Sequence, residues 1–240
     1  GFMNQLPSTL SEKDRPAIDA LSSDQLWQNC QDTIKRSIGL FEQAGYDLEV
    51  EDYHFTILLG NPEKPMLQLN KGYSGDGGIP GYLMLSLLPN DYTLPRVQAA
   101  LAHECNHNVR FQFVKWNQQT TLADWVVSEG LAESFAAELY GKDLIGPWVT
   151  STSPEQLEEI KPIISSQLQL TGMAEMAPYL YGDEIAKIQG QIPVGMPYAA
   201  GYAYGYHLIQ AYLKKTGKSI IEATVTPTEE ILEATKDFWK

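Results

Sequence analysis

The chain has 240 residues, of which 43% are hydrophobic, so it can build one large domain or two small lobes around a real core. Its 17 basic and 30 acidic residues give a formal net charge of −13, which argues against nucleic acid or an anionic membrane as the main partner. No stretch approaches the roughly 20 uninterrupted apolar residues of a membrane span.

The cysteine content bears on the cellular compartment. The two cysteines, Cys30 and Cys105, are too few for a disulfide framework, which favours a reducing compartment such as the cytoplasm. No secretory signal is visible, but the chain begins with Gly1 rather than methionine, so removal of a leader stays open as an alternative.

The first half of the chain predicts one helix and two strands. Residues 24–44 carry apolar side chains at helical spacing and stop at Gly45. Residues 53–60 and 81–89 are short, β-prone and bounded by Gly, Pro and Asn, which is typical of strands. The glycine-rich segment 70–81 lacks the ligand pattern of a calcium loop and the lysine of a phosphate loop, so we expect a flexible flap or turn.

Helices dominate the second half. One is predicted from about Thr93 to Trp116, and Thr121 with Asp124 forms a capping box for the next, which ends near Gly141. Three more are predicted, opening at Ser153, covering 198–217 and covering about 228–239. Early strands and late helices indicate an α+β fold rather than a doubly wound sheet.

The segment "LAHECNHNVR" (101–110) carries the strongest chemical signal. On a helix, His103 and His107 lie on one face a turn apart, with Glu104 at its flank. Two imidazoles at this spacing can bind one zinc ion, and the glutamate between them can act as a base toward water. Cys105 points to the opposite, apolar side, so we expect a core residue rather than a ligand.

A catalytic zinc needs a third protein ligand. The metzincin extension would require Gly and His where this chain has Arg110 and Phe113, so that pattern is excluded. The following helix, 122–141, instead carries Glu129 and Glu133 on a largely apolar arc. Two carboxylates on a buried face need cationic partners: zinc for Glu129 and a ligand histidine for Glu133. The alternative makes both of them surface residues.

Together, "HECNH" and "SEGLAE" (128–133) resemble the gluzincin clan of zinc peptidases, to which thermolysin belongs, with glutamate in place of the commoner aspartate at the last position. The segments "GGIPGYLMLSLLPN", "ALAHECNHNVRF", "VSEGLAESFAAELYG" and "YAAGYAYGYHLIQAYL" resemble, more closely, the YjaZ-like family of predicted bacterial zinc-dependent proteases. The resemblance covers roughly residues 50–215.

The resemblance implies a zincin-like fold with a small N-terminal sheet, an edge strand over the active-site helix and a mostly helical C-terminal part. The whole chain, 1–240, is then a single metallopeptidase domain with two lobes around a cleft, about 1–117 mixed α/β and about 118–240 helical. "GYLMLSLL" would be the edge strand that pairs with an extended peptide.

The resemblance also implies residue roles. His103, His107 and Glu129 would bind zinc, Glu104 would be the general base, and Glu133 would orient a ligand histidine.

Members of the clan stabilise the oxyanion with a tyrosine or histidine. Tyr198, Tyr202 and Tyr206 share one helical face. We expect Tyr202 or Tyr206 to be the hydrogen-bond donor to the oxyanion, and His207 and Arg110 are the next candidates. The alternative is that these tyrosines only pack, with their hydroxyls at the rim. Gly201 and Gly205 form a small-residue ridge that would let another helix approach closely.

The sequence thus predicts a zinc-dependent peptidase acting on peptides or proteins, and it leaves the oligomeric state open. Two alternatives belong to other classes. The chain could be a non-catalytic zinc-binding or peptide-binding module, or a metal-free chaperone or interaction domain in which the glutamates find cationic partners other than zinc.

Overall fold

The computed structural model describes residues 3–239, and within them the elements follow the predicted order of early strands and late helices. The strands are β1 (His54–Leu59), β2 (Tyr73–Ile79) and β3 (Tyr82–Leu87). The α-helices are α1 (Arg15–Leu21), α2 (Asp24–Gln43), α3 (Pro65–Leu69), α4 (Val97–Phe113), α5 (Leu122–Tyr140), α6 (Pro147–Thr150), α7 (Pro154–Ser165), α8 (Met173–Tyr181), α9 (Asp183–Ile188), α10 (Ala200–Thr216), α11 (Ile220–Val225), α12 (Thr228–Ala234) and α13 (Lys236–Trp239). The α+β class is therefore confirmed.

The three strands form one sheet in the order β1-β3-β2. β3 is the central strand, because it pairs in parallel with β1 and antiparallel with β2. Its side chains Leu83, Leu85 and Leu87 alternate onto the buried face, as the two-residue period of a strand requires. The expectation that "GYLMLSLL" is the edge strand is wrong, since both of its edges are already paired.

The edge strands are β1 and β2, and β2 lies in the segment that we expected to be a flexible flap or turn, so that expectation is also wrong. Glycine normally weakens a strand, because it has no side chain to pack and loses much backbone entropy. Here the hydrogen-bonded ladder to β3 holds the glycines in an extended conformation. The glycines permit a close approach to α4. A Cβ atom added to Gly75 would overlap the Glu104 carboxylate, and one added to Gly77 would overlap the Glu104 backbone carbonyl.

Asn108 on α4 fastens this strand to the helix. Its side-chain oxygen accepts a hydrogen bond from the Gly81 N–H at 2.6 Å. Its amide nitrogen lies 2.8 Å from the Gly77 carbonyl, 3.0 Å from that of Ile79 and 2.9 Å from that of Tyr82. The register of the β2–β3 ladder shifts between Asp76 and Ile79. Asn108 therefore hydrogen-bonds to backbone groups that have no partner within the irregular part of the ladder.

The helix boundaries follow local capping chemistry. Thr121 Oγ1 accepts from the Asp124 N–H, and an Asp124 carboxylate oxygen accepts from the Thr121 N–H at 2.9 Å, so the predicted capping box is confirmed. Ser153 caps the N-terminus of α7 through a capping box of the same kind. α4 begins at Val97 because a 3-10 turn covers Leu94–Arg96. The predicted last helix is interrupted at Thr235 and forms α12 and α13.

Helix α5 lies against both α4 and α10, so it is buried around most of its circumference. Its crossing with α10 depends on glycine. A Cβ on Gly130 would overlap the Gly205 carbonyl, and one on Gly205 would overlap the Val126 carbonyl. Gly201 meets the backbone of Leu180 on α8 in the same way. The predicted small-residue ridge is therefore confirmed.

The C-terminal half of α4 is tied to the C-terminal segment. The Arg110 side chain is 1% exposed. Its guanidinium donates to the carbonyls of Thr224 and Thr226, at 2.8 and 3.1 Å, and to the Thr228 hydroxyl at 3.0 Å. Burial lowers the pKa of Arg110 to about 10, so the group still carries its charge near neutral pH.

None of the helices that the structure describes is long and apolar enough to cross a bilayer. Cys105 is buried in the core, as predicted, and both cysteines are free thiols.

A comparison of two glycines inside helices, Gly130 in α5 and Gly39 in α2, gives the first prediction. Gly130→Ala should lower the free energy of unfolding by about 1–3 kcal/mol, because the new methyl group meets the backbone of α10. Gly39→Ala is the matched control, since the nearest atom to its Cβ is a flexible Gln43 side chain at 3.7 Å. It should be neutral or stabilising by up to about 1 kcal/mol. Urea unfolding measures both, and equal effects would contradict the close crossing.

Candidate metal centre

Three ligand-type atoms converge where α4 faces α5. His103 Nε2 and His107 Nε2 lie 3.3 and 3.2 Å from Glu129 Oε2, and the two nitrogens lie 3.1 Å from each other. All three residues are less than 10% exposed. The one-turn spacing on α4 and the burial of Glu129 on α5 therefore bring together the residues that the sequence singled out.

The protonation pattern leaves these three atoms short of a partner. The Glu133 carboxylate lies 2.9 Å from His103 Nδ1, and because an ionised carboxylate only accepts, that ring nitrogen must donate. Neutral His103 then presents a lone pair at Nε2 toward His107 Nε2 and a carboxylate oxygen of Glu129. When His107 Nδ1 donates to Ser128 Oγ, its Nε2 is an acceptor as well, and three acceptors facing one another in a buried site need a shared cation.

The pKa values of Glu129 and His103 follow from this geometry. Burial by itself would raise the pKa of Glu129, but the charge of His107 and the hydrogen bonds from both histidines hold it at about 2. Burial would likewise lower the pKa of His103, yet its contacts with Glu129 and Glu133 raise it well above the usual value. The site thus favours an ionised carboxylate and a positive charge beside it.

Glu133 is a fully occupied acceptor that is 2% exposed. Besides His103, it accepts from the Gly146 N–H at 2.6 Å and from Trp148 Nε1 at 2.8 Å. Three donors make its burial tolerable and fix the ring of His103, as outer carboxylates do for metal-binding histidines. The sequence identified Glu133, but not Gly146 and Trp148 at the start of α6, which complete its contacts.

Two further contacts orient the cluster from α5. Ser128 Oγ lies 3.0 Å from His107 Nδ1, and Trp125 Nε1 donates to the second oxygen of Glu129 at 3.2 Å. Sequence reasoning missed both roles. The signal was present, because Trp125 lies one helical turn before Glu129 and Ser128 is adjacent to it.

Glu104 lies beside the cluster under the edge strand β2. Burial raises the pKa of its carboxyl group to about 7, with the charges of His103 and His107 acting against that rise and those of Glu129 and Asp76 adding to it. A carboxyl group with such a pKa can both accept and release a proton near neutral pH.

A cavity of about 410 Å³ opens onto these residues. It is walled by β2 on one side and by the start of α10 on another, where Tyr198, Ala199 and Tyr202 line it. Ala199 has a left-handed backbone with φ of 54°, which turns the chain into α10 at the cavity wall. Burial, with the charge of Glu129 second, raises the pKa of Tyr202 well above its usual value, so its hydroxyl keeps its proton.

The other predicted oxyanion candidates lie elsewhere. Tyr206 and His207 both belong to the described part of the chain, but neither lines this cavity. His207 is half-buried, and burial together with the nearby charge of Lys161 lowers its pKa. Arg110 is held by Thr224, Thr226 and Thr228 and does not line this cavity either. Tyr181, which the sequence did not single out, lines the cavity beside Tyr202, with ring centroids 6.1 Å apart.

Comparison with known proteins adds an independent finding. Residues 26–233 match a family model described as "Predicted Zn-dependent protease (DUF2268)". "Uncharacterized protein YjfC" of Bacillus subtilis (strain 168) is 36% identical over 223 residues, which cover 92% of this chain and 74% of that protein. "Uncharacterized protein YjaZ" of the same organism is 27% identical over 155 residues, covering 63% of this chain and 55% of that protein. No solved structure matches the chain.

The cluster suits the zinc that the family description names. In a tetrahedral zinc site with ligands at roughly 2.0–2.1 Å, neighbouring ligand atoms are about 3.3–3.4 Å apart. The three atoms here are 3.1–3.3 Å apart, close to that edge length. Two imidazoles and a carboxylate, with further contacts behind each, are a common zinc donor set.

Zinc binding gives the second prediction. The wild-type chain should bind one zinc ion, and saturation at about 100 times Kd should stabilise it by about 2.7 kcal/mol, seen as a rise in Tm that a chelator reverses. His107→Ala removes a ligand and should abolish both the binding and the rise. His54→Ala is the control, since His54 is exposed and stacks only on Tyr82. Undiminished zinc binding by the His107 variant, measured by metal analysis, would argue against this ligand set.

Proposed function

This chain belongs to the family of predicted Zn-dependent proteases (DUF2268), and we propose that it is a zinc metallopeptidase of the gluzincin type with Glu104 as general base. The observation that carries the proposal is the convergence of His103, His107 and Glu129, with the Glu104 carboxylate beside them in one cavity. The order of these residues along α4 and α5 is that of the gluzincin motifs.

Zinc, when bound by His103, His107 and Glu129, lowers the pKa of water and polarises the scissile carbonyl group. The protein's own residues then handle the protons. A Glu104 carboxylate oxygen takes a proton from the attacking water as the oxygen adds to the carbonyl carbon. The same oxygen returns that proton to the amide nitrogen as the C–N bond breaks, so that an acid and an amine are released.

Glu133 keeps the His103 ring in one orientation and one tautomer through this sequence, because it already accepts from Trp148 and Gly146 and cannot rotate freely. Tyr202 is assigned as the hydrogen-bond donor to the tetrahedral oxyanion. It lines the cavity, and its high pKa keeps the hydroxyl proton available for donation. Tyr206 and His207, the other sequence candidates, are the less favoured donors.

We further propose that the substrate is a peptide or protein and that the chain forms one zincin-like domain. Its two lobes would be about 1–117, containing the sheet, and about 118–240, mostly helical. Of the two edge strands, β2 is the one that lines the cavity, so its free edge is the one available for strand addition by an extended substrate. The free thiols Cys30 and Cys105 support the expectation of a cytoplasmic location.

The third prediction tests Glu104. Glu104→Gln keeps the size of the side chain but removes its basicity, so peptide hydrolysis should fall about 10²- to 10⁴-fold while zinc stoichiometry stays unchanged. The assay follows cleavage of a peptide library by mass spectrometry, with metal analysis of the same samples.

The matched control is Glu138→Gln, at an exposed position on α5 outside the cavity. It should cleave like the wild type. Full activity in the Glu104 variant would overturn the mechanism. A wild-type protein that holds zinc but cleaves no peptide would instead favour the alternative of a non-catalytic zinc-binding or peptide-binding module.

The fourth prediction separates the tyrosines. Tyr202→Phe removes one hydroxyl donor and should lower kcat about 10²- to 10³-fold with little change in KM. Tyr206→Phe, on the same helix but outside the cavity, should leave kcat within about twofold of the wild type. Steady-state kinetics on one peptide substrate measure both variants, and the reverse ranking would reassign the donor to Tyr206.

A further inference from the structure

One side of the cavity is a continuous aromatic wall formed by Phe111, Trp116, Trp125 and Tyr181. Successive rings meet edge to face, with centroids 5.6, 5.6 and 5.7 Å apart and interplanar angles of 77°, 88° and 87°. Such T-shaped contacts are favourable and hold each ring in one orientation. The wall is therefore a preformed surface.

The wall lies against the metal cluster and reaches the surface at Trp116. Phe111 stacks on His107 with a centroid distance of 5.7 Å and an angle of 7°. Trp125 is joined to the cluster by its hydrogen bond to Glu129. The outer member, Trp116, is 37% exposed, which is high for so large an apolar ring. A side chain adjacent to the reacting carbonyl would lie along these rings.

Two further exposed apolar side chains border the same cavity. Ile79 is 65% exposed at the end of β2, and Met173 is 54% exposed at the start of α8. Apolar groups that converge on a concave site while remaining accessible are typical of a ligand-binding surface.

Apart from the two histidines at the metal cluster, the charged side chains at the cavity are acidic. Asp76, Glu104 and Glu129 line it, and none of its lining residues in the described part of the chain is a lysine or an arginine. An acidic side chain packed along the aromatic wall, away from the cluster, would lose water without gaining a lysine or arginine partner. An uncharged apolar side chain would instead exchange water for aromatic surface.

We propose that the aromatic wall is a specificity subsite for a bulky apolar side chain, preferably aromatic, next to the cleaved bond of the substrate, and that it rejects acidic side chains. This inference rests on the proposed peptidase function and names its substrate class. Trp116 is the specificity-determining residue, because it is the accessible member of the wall and contacts no metal-cluster residue by ring stacking.

The test uses blocked pentapeptides of alanine whose central residue is Phe, Ala or Glu, titrated by calorimetry into the zinc-loaded Glu104→Gln protein. The Phe peptide should bind at least about tenfold more tightly than the Ala peptide, since a phenyl group leaves water for the wall. The Glu peptide should bind more weakly than the Ala peptide. Equal affinities for the Phe and Ala peptides would overturn the proposal.

The matched variants are Trp116→Ala and Phe113→Ala, each introduced into the Glu104→Gln background. Phe113 is 39% exposed and lies three residues before Trp116, but it packs against Tyr46 outside the cavity. Trp116→Ala should reduce the preference for Phe over Ala to about threefold or less, whereas Phe113→Ala should retain it. Trp116→Phe should recover most of it. A Trp116→Ala protein that keeps the full preference, or a Phe113→Ala protein that loses it, would overturn the assignment.

The outcomes for the two proposals are separable. If the wild type cleaves peptides without regard to the central residue, the subsite fails and the peptidase stands. If the zinc-loaded protein prefers the Phe peptide but the wild type cleaves none, the peptidase fails and the apolar subsite stands. Circular dichroism and zinc stoichiometry confirm that each variant is folded and metal-loaded.

Discussion

A carboxylate buried against two imidazoles is the constraint on which the rest of the structure depends. Glu129 is stable in the interior only while a positive charge accompanies it, and the facing nitrogens of His103 and His107 cannot all satisfy one another. The surrounding contacts reinforce this arrangement. Each of the three clustered side chains has a second contact: Glu133 with His103, Ser128 with His107 and Trp125 with Glu129. These outer contacts fix the orientation of the side chains that would bind the metal.

The cluster itself could be predicted because its determinants are local. Two histidines a helical turn apart fix one face of α4, and two glutamates on an apolar arc identify the facing helix, whatever the rest of the fold does. Burial around α5 is more complete than the arc suggested, because the glycine contacts with α10 cover a further side of the helix. The close contact between α5 and α10 depends on two segments that are distant in the sequence, so the periodicity of either segment alone cannot predict it.

The edge strand and the oxyanion candidates could not be predicted in the same way. Residues 73–79 have the composition of a loop, and they become a strand through pairing with β3 and the anchoring by Asn108. Spacing puts Tyr198, Tyr202 and Tyr206 on one helical face, but it cannot say how far that face extends along the cavity. The helix passes the cavity only at its first turn, so Tyr202 lines it and Tyr206 does not.

The buried Arg110 links α4 to residues 224–228 near the other end of the chain. A polypeptide that emerges from the ribosome exposes His103 and Glu129 well before those threonines. Until they arrive, a guanidinium meant for the interior has no carbonyl acceptors, and the helix bearing the histidines cannot settle into its native surroundings. The buried contacts of α4 are thereby completed only after residues 224–228 have been synthesised, so the candidate metal centre acquires its native surroundings late in synthesis.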